Sequence, residues 1–157
     1  MTRRSMLEKL LAAMAAGAAW PTIASALDWK PLFLNPQQNE TLTALSESIV
    51  PGSSKAQVNR FIDLLLSVDA PDNREKFVAS LTEVERATEA KFGRPFHRLT
   101  ANEKEELLTS ISQDPTNQKH FDDLKEWITL AYYSSEDGMR ELGWTGEHAF
   151  RQYPACH

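Results

Sequence analysis

Val58-Asn59-Arg60-Phe61-Ile62-Asp63-Leu64-Leu65-Leu66-Ser67-Val68 is the stretch that decides the fold class. At 100° per residue, Val58, Phe61, Ile62, Leu65, Leu66 and Val68 share one wide apolar face. Strict alternation, which would make a half-buried strand, is absent here and elsewhere in the chain. The segment therefore reads as a central, largely buried helix. Asp63 stands beside the apolar face and is placed at its solvent edge rather than in a catalytic role.

Further helices are expected on both sides. Upstream, Leu27 to Asn35 holds Trp29, Pro31, Phe33 and Leu34, an extended lead-in that packs over the domain. Asn35 is a helix N-cap, Pro36 suits the first helical position, and Leu42, Leu45 and Ile49 recur at helical spacing until Pro51-Gly52-Ser53-Ser54 ends the run. Downstream, Ala70-Pro71-Asp72 breaks the chain. Phe77, Leu81, Val84 and Ala87 then mark a longer amphipathic helix that stops at Phe92-Gly93, with glycine in the left-handed position after the last turn. Thr100-Ala101-Asn102-Glu103 has capping-box form, and Leu107, Leu108 and Ile111 give the next helix its buried face. Asp114-Pro115 separates it from the last, with Phe121, Leu124, Trp127, Ile128, Ala131 and Tyr132 on one side. The expectation is an all-α domain of about five helices in an irregular orthogonal array, followed by an extended C-terminal tail.

That tail is unusual. Helical order is expected to fail at Asp137-Gly138 and Leu142-Gly143-Trp144-Thr145-Gly146, and the chain ends in Tyr153-Pro154-Ala155-Cys156-His157. Aromatic side chains are costly to leave in water. Trp144, Phe150 and Tyr153, on irregular backbone, must therefore lie on their own domain or be covered by another chain. Tyr132, Tyr133 and Trp144 can equally cap the chain's own core or contribute to an interface.

The opening residues read as an address. Arg3-Arg4 precedes an apolar Ala- and Gly-rich run from Leu10 to Ala19, and Ala24-Ser25-Ala26 is a small-x-small cleavage signal. The run is too short to span a bilayer as a permanent helix. The arginine pair with modest hydrophobicity marks a twin-arginine export signal, used by proteins that fold before crossing; a general secretory signal is the alternative. Residues 1–26 are thus set apart from a single helical domain at 27–157, located in the periplasm.

The whole chain has a formal net charge of −5, and the leader takes with it more basic than acidic residues. An acidic domain without a basic run is a poor partner for nucleic acid or anionic membrane surfaces. The residues three before His97, His120, His148 and His157 are Arg94, Asn117, Thr145 and Pro154, so the Glu-x-x-His of di-iron bundles is missing. There is no His-Glu-x-x-His, no dinucleotide fingerprint and no phosphate loop, and Cys156-His157 is half of a c-type haem site. No catalytic, cofactor-binding or metal-binding residue is assigned. The lone cysteine, Cys156, has three readings: a nucleophile with His157 or His148 as base, a thiol without a role, or a bond or close contact with a partner protein. The export signal favours the last.

From Leu42 to Cys156 the ordered pattern resembles the gluconate 2-dehydrogenase subunit 3 family. The residues that carry it include Ile49-Val50-Pro51-Gly52; Phe61-Ile62-Asp63 with Leu65-Leu66; Phe92-Gly93, Phe96 and Leu99-Thr100; Phe121 and Leu124; Tyr132-Tyr133-Ser134-Ser135; Gly138; Leu142-Gly143-Trp144; Gly146; and Cys156. Ala131, Trp144 and Ala155 depart from it mildly, where Gly, Tyr and Gly are common. The resemblance implies a non-catalytic small, or gamma, subunit. Its partner would be a large FAD-binding subunit of the glucose-methanol-choline type that oxidises a sugar or sugar acid, with haem c in a multihaem cytochrome that takes the electrons. The large subunit in such complexes often lacks an export signal of its own, so this chain would act in its export, maturation and stabilisation, held at the membrane through partners. Tyr132, Tyr133, Trp144, Phe150, Tyr153 and Cys156 are the expected interface residues. The alternative is a stand-alone periplasmic enzyme or small-ligand binder in which Tyr132, Tyr133 and Trp144 line a pocket.

Overall fold

A computed structural model describes residues 29–146. The leader, His148, Phe150, Tyr153, Cys156 and His157 lie outside the described residues. The chain divides into two units at residues 30 and 31, and the second unit carries the helical domain.

Among the described residues there are six α-helices and no strand: α1 (Pro36–Ile49), α2 (Val58–Val68), α3 (Pro71–Phe92), α4 (Ala101–Gln113), α5 (Gln118–Tyr133) and α6 (Glu136–Glu141), with a 3₁₀ turn at Phe96–Arg98 between α3 and α4. Five are those the periodicity expects. The helix starts obey local chemistry. Asn35 accepts from the Gln38 N–H while the Gln38 side chain accepts from the Asn35 N–H, and Pro36 opens α1. Thr100 and Glu103 make the same reciprocal pair at α4. Pro71, read as a break, is instead the first residue of α3, where a missing N–H costs nothing. Gly93 ends α3 at φ 64°, a left-handed conformation that a side chain would strain. Between α1 and α2, the Glu47 carboxylate accepts the Gly52 and Ser54 N–H groups, which hold its pKa below the usual value.

The helix at the centre is α5. It packs against α1, α2, α3, α4 and α6, and Leu124, Ile128, Ala131 and Tyr132 are enclosed. Phe77 of α3 meets Trp127 edge-on with centroids 5.4 Å apart. The Ser80 hydroxyl lies 3.0 Å from His120 Nδ1 across the same contact. Thr41 of α1 donates to Glu85 of α3, and Asn59 of α2 donates to Asn39 of α1 at 2.8 Å. Phe96, expected in a connector, is fully buried in the shared core.

α2 is less central than its composition suggests. Val58, Ile62 and Leu66 are buried, but Phe61, Leu64 and Val68 are exposed, the last two by 50 % and 76 %. The helix has apolar residues nearly all round, and its neighbours cover only one flank. Asp63, expected at the solvent edge, is 1 % exposed. It shares the covered flank with Ile62 and Leu66, and a carboxylate survives there because three backbone N–H groups reach it. Leu32 donates to Oδ2 at 2.6 Å, and Phe33 and Leu34 donate to Oδ1 at 3.1 and 2.8 Å. Charge-assisted bonds of this kind offset the desolvation of the buried ion. They also fasten the lead-in to α2, so that Leu34 enters the core and Phe33 lies against the Arg74 guanidinium, 5.6 Å from ring centroid to Cζ.

Asp63→Ala should therefore lower stability by about 3 kcal/mol, because three backbone N–H groups, that of buried Leu34 among them, lose a charged acceptor. Asp63→Asn should cost nearly as much, since its amide NH₂ would face an N–H. Urea unfolding of the purified variants checks this, and a loss within about 0.5 kcal/mol, usual for surface sites, would refute the clamp.

Candidate partner interface

The C-terminus of α5 turns into α6 through Ser134 and Ser135. The Tyr132 carbonyl sits at the corner and accepts the Ser135 N–H at 2.9 Å and its hydroxyl at 2.6 Å. The Ser135 hydroxyl in turn accepts the Gly138 N–H and caps α6. Gly138 lies so close to the end of α5 that a Cβ there would be 2.2 Å from the Tyr132 carbonyl oxygen. The six-residue α6, where the sequence suggests loss of helical order, forms because this corner supplies its cap and its packing.

Leu142-Gly143-Trp144 then closes α6 in a Schellman arrangement. The Trp144 N–H donates to the Met139 carbonyl and the Gly143 N–H to the Arg140 carbonyl, with Gly143 at φ 90°. The glycine is what permits the reversal, and the reversal is what places Trp144.

Tyr132 occupies the middle of this junction and is buried. Its ring lies beneath the α1–α2 turn: a Cβ on Gly52, which has φ 94°, would stand 3.4 Å from the phenol oxygen. Its hydroxyl donates to Glu141 of α6 at 2.7 Å. The hydrogen bond to that carboxylate, with burial and the carboxylate's charge adding to it, pushes the phenol pKa up to about 12. Lys55 in the α1–α2 turn pairs with Asp137 of α6 at 2.8 Å, closing the junction on its exposed side. Pro51-Gly52, Tyr132 to Ser135, Gly138 and Leu142-Gly143-Trp144 are scattered in sequence and meet in one place.

The expected interface residues separate. Of the two roles open to Tyr132, its ring and hydroxyl serve the chain's own core. Tyr133, with its ring edge-on to Tyr132 at 5.2 Å, points outward, and Trp144 is also exposed. Two leucines that are not among the expected contact residues join them at this end of the molecule: Leu130 is 63 % and Leu142 72 % exposed. Leu130 and Tyr133 are three residues apart and off the buried face of α5, and that off-face spacing is the signal that could have identified Leu130. They line a shallow groove with Asp122, Lys125, Glu126 and Thr129, in which neither Tyr132 nor Trp144 takes part. The three aromatics thus do not line a common pocket there, as the stand-alone binder would require.

Elsewhere several polar groups are engaged in structural contacts. Ser80 and His120 could supply a nucleophile and a base, but Ser80 is 2 % exposed and bonded to His120 within the α3–α5 contact. A groove of about 1170 Å³ between α1 and α4 mixes polar side chains with Ala44, Ala101 and Leu108. Its Glu47 is bound to backbone, and its His97 lies 3.3 Å from Glu40. Among the described residues no group of three or more His, Cys, Asp or Glu could hold a metal ion, and no helix is long and apolar enough to cross a membrane.

Residues 36–147 match the family described as Gluconate 2-dehydrogenase subunit 3, from the first residue of α1 to just beyond Gly146. The match covers more than two-thirds of the chain and takes in α1 to α6. The chain belongs to the gluconate 2-dehydrogenase subunit 3 family. This makes it an accessory subunit of an oxidoreductase complex, and the all-α fold expected from the sequence is the fold observed. No curated protein and no solved structure matches the chain.

Two outcomes test the junction. Alanine exceeds glycine in helix propensity by about 1 kcal/mol, so Gly138→Ala would stabilise α6 if space allowed. Overlap with backbone should reverse the sign and cost about 1–3 kcal/mol, with faster hydrogen exchange confined to residues 136–146. For Tyr132, a folded-state pKa above the unfolded value stabilises fully below about pH 10, the ordinary phenol value. That contribution fades as pH rises towards 12. One of the three tyrosines should titrate late in an absorbance titration, and Tyr132→Phe should remove that step.

Proposed function

We propose that this chain is the non-catalytic small subunit of a periplasmic FAD-dependent dehydrogenase of sugars or sugar acids. It carries the complex out of the cytoplasm by the twin-arginine route, aids maturation of the large flavoprotein subunit and stabilises it. The flavin belongs to that large subunit, and haem c to a cytochrome subunit that takes the electrons. The family match over residues 36–147 is the observation that carries this reading.

Three features support it. Arg3-Arg4 with Ala24-Ser25-Ala26 suits export of a folded assembly, which is chemically sensible when FAD must be inserted before crossing. Several carboxylates of the helical domain, Asp63, Glu47 and Glu103 among them, are engaged as caps and clamps. The α5–α6 corner presents Tyr133, Trp144, Leu130 and Leu142 to solvent, a group of large apolar side chains of the kind that marks protein contacts. Phe150, Tyr153 and Cys156, outside the described residues, come soon after in sequence.

Arg3→Lys with Arg4→Lys should strand both this chain and the large subunit in the cytoplasm, while in vitro assembly of the two is unchanged. Fractionation of the native host, with absorbance scans for flavin and haem in each fraction, measures this. A large subunit that still reaches the periplasm would end the escort role.

A further inference from the structure

Among the described residues Asp63 is the one acidic side chain enclosed in the interior. Its three hydrogen bonds go to the stretch of chain that follows Ala24-Ser25-Ala26 and the leader. Little else holds that stretch. It belongs to no helix, Leu32 and Phe33 are exposed, and only Leu34 enters the core. Phe33 has the Arg74 guanidinium of α3 against its ring. Closing the stretch therefore requires separate parts of the domain to be in place together. α2 must be docked through Ile62 and Leu66 before Asp63 stands where the three N–H groups converge, α3 must carry Arg74 to Phe33, and the core must offer a place for Leu34. The acceptor lies 29 residues from the Leu34 N–H, so no local turn can form these bonds ahead of the fold.

We propose that the Asp63 clamp is a folding latch for export. Closed, it orders the chain from Leu32 onward; open, it leaves loose apolar chain beside the leader and keeps the protein in the cytoplasm. The proposal rests on the reading of residues 1–26 as a twin-arginine leader, which serves proteins that fold before crossing. Release of Leu32-Phe33-Leu34 frees three large apolar side chains and their N–H groups close to the leader. That is what an unfolded chain presents, whatever the state of the helices behind it. The latch can also open by itself. Leu32 and Phe33 are already exposed, so opening breaks hydrogen bonds but uncovers little core, and such local openings need less free energy than global unfolding.

Two variants open the latch from opposite sides. Asp63→Asn spoils the acceptor, and Leu32→Pro removes the donor to Oδ2 without altering a helix. Leu107→Ala, which leaves a cavity in the core at α4, is the control for lost stability. Full-length chains are compared by fractionation of the native host and, once purified, by thermal unfolding and by chymotrypsin cleavage after Phe33. Far below its melting temperature, each latch variant should be cut there roughly tenfold faster than wild type, as the loss of a charge-assisted bond allows. The periplasmic fraction of each should fall by a similar factor. Leu107→Ala should melt early, yet resist cleavage at Phe33 and reach the periplasm as the wild type does. Normal export of both latch variants would overturn the latch, as would wild-type resistance to chymotrypsin in both. So would a loss of export in Leu107→Ala as large as theirs, since stability alone would then explain it. If Asp63→Asn does not fold, Leu32→Pro decides by the same two readings. Wild-type chain that never leaves the cytoplasm, or that still leaves it with Arg3→Lys and Arg4→Lys, would sink the twin-arginine reading itself and the latch with it.

Discussion

A tyrosine in a helical core sets two conflicting demands, a dry ring and a bonded hydroxyl. At Tyr132 both are met by residues distant in sequence. Gly52 leaves room for the ring under the α1–α2 turn, and Glu141 accepts the proton from the other side. Much of the molecule's C-terminal half is a consequence of that arrangement. α6 has to return close to α5 for Glu141 to arrive, which requires Gly138 at the point of closest approach and Ser135 to cap the short helix. Gly143 must then turn the backbone away in a left-handed conformation, and Trp144 stands where that turn leaves it. The exposed aromatic is thus positioned by the buried one.

What can be read from the sequence divides along the range of the interactions involved. Asn35, Thr100 and Gly93 are legible because a cap is settled within three or four residues of itself. Asp63 is not. Its donors lie about thirty residues upstream, and periodicity alone cannot distinguish a carboxylate at the edge of an apolar face from one clamped beneath it. α6 escapes notice because six residues containing a glycine show no useful period and owe their helical state to α5. Tyr132 continues the apolar side of Leu124, Ile128 and Ala131, while Tyr133 falls about 100° round the helix. The packing of α5 turns the first in and the second out.

The exposed surface is the least legible part. Leu64, Val68, Leu130 and Leu142 have the composition of core residues, and counting apolar positions assigns them to the interior by default. Position relative to the buried stripe carries the information instead. On α2 the stripe is Val58, Ile62 and Leu66; on α5 it is Leu124, Ile128 and Ala131. Large apolar residues off those stripes are surplus to the chain's own core. The family match stops near Gly146, so it speaks for the helical domain, while the export reading depends on Arg3 and Arg4 outside it.

The way the carboxylates are used bears on what the domain offers to other molecules. Asp63 holds a strand of backbone, Glu47 a turn, Glu103 a helix start and Glu141 a phenol. Each is engaged in a bond that fixes the shape of the chain, and removing it would loosen that shape. Single exposed leucines are ordinary on protein surfaces, but grouped ones at two separate places are not. A core already closed by Leu42, Ile62, Phe96, Leu124 and Ile128 gains nothing from them. As a fold the domain is complete without them.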